Sequence, residues 1–162
     1  MGKAYVNINT PNDTRYFYPA NEKWEQKMLP CKASVAFAEG AAMGIEISWN
    51  DVTGNITLMG VENASGADFV GIMNEPVVST DADYATAWKL KSVRVPTTPR
   101  AKAYFAVWAW TFTAADVFKL VEVHSDSLWL AVDTKWKWAR IEEYLTASKG
   151  ICTFSAPTTE TA

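Results

Sequence analysis

From Cys31 onward the chain is cut into short runs that alternate apolar and polar residues. Turn-forming residues recur about every eight to twelve positions, and this spacing constrains the fold more than any other feature. Ala33 to Ala38, Gly44 to Trp49 and Asn55 to Met59 are each too short to lay down a helical face, and each has the period of two that belongs to a strand with one buried side. GluGly and AsnAspValThrGly separate them. Regular short strands without longer helical patterns between them predict an all-β fold, a small β-barrel or β-sandwich, with one or two short helices. In the run Asp68 to Val78, Gly71 interrupts apolar residues, which suggests a bulge or a tight approach of two backbones.

Between Tyr104 and Ala139 lie five of the eight tryptophans. If extended, Tyr104, Ala106, Trp108, Trp110 and Phe112 fall on one bulky side. Trp136 and Trp138 repeat the device against Lys135 and Lys137. ThrAlaAlaAsp, Thr113 to Asp116, has the form of a capping box, because the Thr113 oxygen can accept from the Asp116 amide. Lys119 to Val123 and Leu128 to Val132 alternate again across the turn HisSerAspSer. The stretch therefore reads as a β-meander. Its tryptophans fit two readings: a core, where aromatic residues dominate, or an interface, since exposed paired tryptophans are costly unless a partner covers them.

The first thirty residues contain Pro11, Pro19 and Pro30, the cluster Tyr16, Phe17, Tyr18, and Trp24 among charges. Proline removes ladder donors and restricts its predecessor, so residues 1–30 read as an extended N-terminal arm that lies on a partner rather than as a strand of a central sheet. Residues 31–155 then form the β-rich domain and residues 156–162 a polar tail. Ile141 to Leu145 fits a helix face or a strand face.

With 15 basic against 18 acidic residues the net charge is -3, which gives no electrostatic footprint for nucleic acid or membrane. Lys89, Lys91, Arg94, Arg100 and Lys102 lie close together without an acid and read as a solvated strand face. Two cysteines, Cys31 and Cys152, are too sparse for a disulfide framework and are expected as free thiols in a reducing cytoplasm. There is no run of apolar residues long enough for a transmembrane helix.

Chemistry-bearing patterns are few. His124, the single histidine, sits in a turn without a second ligand. No serine carries a nucleophile motif. Glu142 and Glu143 would point to opposite faces of a strand, so they cannot flank one bond. Asp81 and Asp83 share a face but lack the glycine and glutamate of a calcium loop. No phosphate-binding glycine pattern is present. The expectation is a protein that is not an enzyme and has no cofactor or metal.

The order of LysAlaSerValAlaPheAlaGluGly (32–40), PheValGlyIleMetAsnGluProVal (69–77), AspAlaAspTyrAla (81–85), ThrPheThrAlaAlaAspVal (111–117), LeuAlaValAspThr (130–134) and GlyIleCysThrPhe (150–154) resembles the head decoration, or capsid cement, proteins of tailed bacteriophages. The resemblance implies a β-rich homotrimer, made in the host cytoplasm and bound to the outer surface of the virion capsid. There it would contact the major capsid protein, in part through an N-terminal arm. At Phe118, Trp136 and Trp138 the resemblance leads one to expect glycine, and bulky aromatic residues stand instead.

Two functions follow. The first is a structural protein that clamps neighbouring capsid subunits, with Tyr16, Phe17, Tyr18, Trp24, Trp108, Trp110, Trp136 and Trp138 as interface residues. The second is a carbohydrate-binding β-sandwich in which Trp108, Trp110, Trp136 and Trp138 form a stacking platform.

Overall fold

The computed structural model describes residues 16–48, 51–58, 69–107, 110–124, 127–131 and 136–159, without the side chains of 47–48, 51–52, 136–138 and 155–159. The fold is all-β, as the turn spacing requires. Among the described residues eleven strands follow in order: β1 (Tyr18–Pro19), β2 (Trp24–Cys31), β3 (Ala42–Ser48), β4 (Asp51–Leu58), β5 (Phe69–Met73), β6 (Lys89–Pro96), β7 (Lys102–Ala106), β8 (Leu120–Val123), β9 (Leu130–Ala131), β10 (Trp136–Thr146) and β11 (Lys149–Thr159). No helix among the described residues is long and apolar enough to cross a membrane.

β2, β4, β3, β5 and β6 close into a barrel. Its long seam is the antiparallel ladder of β2 on β6, from Trp24↔Pro96 to Cys31↔Lys89. The closing seam is a single parallel pair, Cys31↔Ile56, backed by the Lys32 amide donating to the Ile56 carbonyl at 3.0 Å. Cys31, Phe37, Met43, Ile56, Met73, Val77 and Val93 fill the barrel. β2 places residues 24–30 in the barrel, which corrects the extended arm expected there, because proline argues only against central strands; residues 1–15 of that arm lie outside the described residues. Beyond Cys31 the outer side of β2 has no ladder partner among the described strands, and an edge strand tolerates a proline whose missing N–H would have faced outward. Pro30 therefore sits inside a strand instead of ending an arm.

Two local irregularities shape the barrel. Opposite Glu46, β4 carries Thr53, Gly54 and Asn55, since Ile45 pairs with Ile56 and Ile47 with Val52. Gly54 supplies φ +85° there, and the Glu46 carboxylate accepts from the Thr53 hydroxyl at 2.7 Å. Of the AsnAspValThrGly segment, Asp51 to Gly54 are thus a bulged strand start and not only a turn. At Gly71 the pairing of β3 with β5 shifts register, and a Cβ would stand 2.4 Å from the Arg94 carbonyl oxygen. Both the bulge and the close approach expected at this glycine are present.

The second sheet has the order β1-β7-β11-β10-β8-β9. It curls, so that Leu130 of β9 bridges back to Val107 just beyond β7. A meander over 104–139 is therefore corrected: β11 and β10 lie between β7 and β8. The chain leaves β7 through a 3-10 turn at Ala114–Asp116, where the Thr113 amide donates to the Asp116 carboxylate at 2.8 Å and the Thr113 hydroxyl accepts from the Ala115 amide at 3.3 Å. This capping box makes a crossing and not a hairpin. Residues 141–145 are strand, and residues 156–159 belong to β11, paired with the start of β10 through Lys137↔Thr158 and Trp136↔Thr159, so the polar tail begins later than expected.

The core of the sheet also holds the two modules together. Ala42 and Ile72 of the barrel are buried with Phe17, Phe105, Phe112, Leu130, Ile141 and Cys152. Phe69 of β5 stacks on Phe154 of β11 at 3.9 Å with the rings 6° from parallel, and Trp24 meets Phe69 edge-on at 6.3 Å.

Candidate interaction surface

The aromatic residues expected at an interface are mostly built into the fold. Phe17 is only 1% exposed, and its amide donates to Gly40 at 3.0 Å, so it is core and not contact surface. Tyr16 is half-buried with its ring edge-on to Trp129 at 5.1 Å. Tyr18 is half-buried in β1 under the Arg94 guanidinium at 5.6 Å. Trp24 opens β2, with its indole N–H donating to the Lys102 carbonyl at 2.9 Å. Trp110 is half-buried against Phe112 at 5.4 Å. Trp108 lies outside the described residues, and so do the side chains of Trp136 and Trp138.

The exposed apolar surface lies elsewhere. On β2 and β6 the register pairs Met28 with Ser92 and Pro30 with Leu90, so Met28 and Leu90 are diagonal neighbours on the outer face of the barrel. They are 53% and 56% exposed, and Trp88, immediately before β6, is 55% exposed. The Trp88 ring reaches over Gly54 of β4, 3.7 Å from where a Cβ on that glycine would be. Trp88 also has φ 63°, a left-handed backbone that a bulky residue rarely adopts. One patch therefore spans the closing seam of the barrel, and a strained backbone aims its largest side chain outward.

What lies behind this patch corrects the reading of the basic run as a solvated face. Lys89 is buried at the barrel end, where its ammonium donates to the Lys32 carbonyl at 2.9 Å and the Tyr84 carbonyl at 3.1 Å. The Lys91 ammonium pairs with Asp83 at 3.0 Å, which raises the lysine above its ordinary value and lowers the aspartate. Arg94 donates to the Asn74 side chain at 2.8 Å. TrpLysLeuLys at 88–91 has the same alternation as TrpLysTrp at 136–138, and that pattern could have marked Trp88 and Leu90 in the sequence.

A second exposed group borders the sheet. Leu120 of β8, Arg140 of β10, Thr153 of β11 and Lys102 of β7 form one row across the strands, because the register pairs each with the next. Leu120 is 47% exposed and Phe118 62%. Phe118 has φ 74°, the glycine-like conformation that the resemblance points to at this position, and its ring lies 5.0 Å under the Arg140 guanidinium. Between this row and the Pro96–Pro99 turn runs a groove of about 750 Å³, floored by Trp24, Phe69 and Phe154.

Among the described residues no group of three or more His, Cys, Asp or Glu could hold a metal ion. Cys31 and Cys152 are free and buried, and burial pushes the Cys31 thiol up to about 11 and the Cys152 thiol well above its ordinary value. Comparison with protein-family models, with curated proteins and with solved structures finds no match.

Proposed function

We propose that this protein is a structural binding protein that seats on the outer surface of a tailed-phage capsid and clamps neighbouring subunits of the major capsid protein, as a homotrimer. The observation that carries the reading is the Trp88, Met28 and Leu90 patch on a closed barrel. Three large apolar side chains held in water on a rigid strand pair are unfavourable in isolation and favourable under a partner.

The test is co-sedimentation of the purified protein with heads of the phage that encodes it, followed by negative-stain imaging, with unrelated heads as control. Burying a large apolar side chain contributes ~1.5 to 3 kcal/mol, so Trp88→Ala with Leu90→Ala should weaken head binding by at least ~100-fold in a protein that still folds. Light scattering should report three times 17.9 kDa for the assembled form. A folded wild-type protein that stays in the supernatant with its own heads overturns the reading. Retention on immobilised polysaccharide in that case would move the assignment to sugar binding.

A further inference from the structure

We propose that the groove between the barrel and the second sheet is a separate binding site that takes a short, extended, acidic peptide segment of a partner protein. An apolar side chain of that segment rests on the Phe69 and Phe154 floor, and a carboxylate meets Arg140. The site does not depend on the capsid reading. Along β2, Met28 of the patch is four residues from Trp24 in the groove floor, so at ~3.3 Å per residue the two lie about 13 Å apart at their nearest, with Trp88 roughly 25 Å from Pro96.

The floor is already assembled. Phe69 and Phe154 are stacked, Trp24 stands edge-on to Phe69, and the indole N–H of Trp24 is taken by the Lys102 carbonyl, which leaves its carbon skeleton to the groove. One wall is a rigid turn. The Thr97 amide donates to the Lys23 carbonyl at 2.8 Å, the Arg100 amide to the Thr98 hydroxyl at 3.1 Å, and prolines at 96 and 99 fix φ on both sides. A preformed wall spares a ligand the ordering cost that a mobile loop would add. The volume of about 750 Å³ falls in the range of ligand sites.

Charge selects the occupant. Arg140 is positioned over the Phe118 ring, and its Nε stands 3.7 Å from the Glu142 carboxylate, too far for a hydrogen bond, so its planar donors are available to a carboxylate. Arg140 is the charged residue that lines the groove, and Lys102 lies in the same row beyond that lining. Against a sugar, the Thr153 hydroxyl is already donated to Glu142 at 2.9 Å and the Thr98 hydroxyl is engaged by Arg100. A peptide with alternating acidic and apolar residues satisfies both the aromatic floor and the guanidinium.

The strain at Phe118 acquires a use here, because its ring supports Arg140 at the rim. The test is amide chemical-shift mapping of the ¹⁵N-labelled full chain with a short Glu/Leu alternating peptide, its Lys/Leu counterpart, and an oligogalacturonate. The Glu/Leu peptide should shift Thr97, Thr98, Leu120 and Thr153, and the Lys/Leu peptide should not. Arg140→Glu should weaken binding about tenfold or more, Arg140→Lys should restore part of it, and Phe118→Gly should weaken it about threefold with the fold intact. Three results each overturn the proposal: shifts at other amides only, equal binding of the Lys/Leu peptide, or affinity unchanged in Arg140→Glu. Binding of oligogalacturonate at these amides without peptide binding also overturns it and assigns the groove to acidic sugars.

Discussion

Phe118 gives a prediction whose sign separates backbone strain from ordinary packing. Its φ of 74° places an L side chain in the left-handed region, where a non-glycine residue carries ~1 to 2 kcal/mol of strain. The position is fixed by its surroundings. Its amide donates to the Ile141 carbonyl at 2.6 Å, and the next residue is held by Lys119 donating to Asp116 and accepting from Ile141, both at 3.0 Å. Phe118→Ala keeps the strain and loses the contact with Arg140, ~0.5 to 1 kcal/mol, together with the buried part of a ring that is 62% exposed, ~0.5 to 1 kcal/mol. Phe118→Gly loses the same contacts but removes the strain, while glycine adds ~0.5 to 1 kcal/mol of unfolded-state entropy. The glycine variant should therefore be the more stable of the two by ~0.5 to 1 kcal/mol, the reverse of the usual order in regular structure. Urea unfolding with a common slope measures this directly, and thermal midpoints should differ by ~1 to 4 °C. An alanine variant as stable as the glycine variant, or more so, would refute the strain argument.

Gly71→Ala should cost ~1 to 3 kcal/mol, because the new Cβ meets the Arg94 carbonyl oxygen at 2.4 Å and a Val93 methyl at 2.8 Å; an unchanged urea midpoint would count against the close packing of β5 on β6. Lys119, the Thr113 amide and the Trp110 indole hold the Asp116 carboxyl below its ordinary value. This stabilisation is complete above the unfolded-state value of ~3.9 and is lost as pH falls through the lowered folded value, so Asp116→Asn should flatten the acid limb of stability below about pH 4 and leave the slope above about pH 6 unchanged. Burial that raises both thiols should leave Cys31 and Cys152 unreactive toward a thiol reagent at neutral pH until the chain unfolds, and fast native labelling of either would contradict their packing.

What the sequence disclosed was local. The strand runs, the capping box at Thr113 to Asp116 and the close approach at Gly71 each depend on residues within one segment, and each stands in the structure. Closure of the barrel depends on Cys31 meeting Ile56, and the order of the second sheet on β10 and β11 entering between β7 and β8. Both pairings join segments far apart in the chain, and no spacing rule encodes them. Pro30 misled for a related reason. Proline argues against a central strand, and only the finished topology shows that β2 is bordered on its second side at one residue.

Alternating lysines mislead at 88–91, while the side chains of Trp136 and Trp138 lie outside the described residues. In TrpLysTrp at 136–138 the alternating lysines suggest a solvent side, with the tryptophans turned toward a partner or a core. TrpLysLeuLys at 88–91 has the same alternation, and there the structure inverts the assumption: Lys89 is buried and donates to two carbonyls at the barrel end, Lys91 is paired with Asp83, and Trp88 and Leu90 face water. A lysine reaches an interior position when its flexible stem lies along apolar surface and its ammonium finds carbonyl oxygens at a strand end that no ladder satisfies. Those carbonyls, at Lys32 and Tyr84, come from loops 57 and 5 residues away in sequence. The side of a strand that faces water is thus decided by whether the barrel end supplies acceptors, and replacing Lys89 by Met would take one donor from each carbonyl, leaving Tyr84 with the Ser34 amide at 2.8 Å, while the outward aim of Trp88 and Leu90 stayed the same.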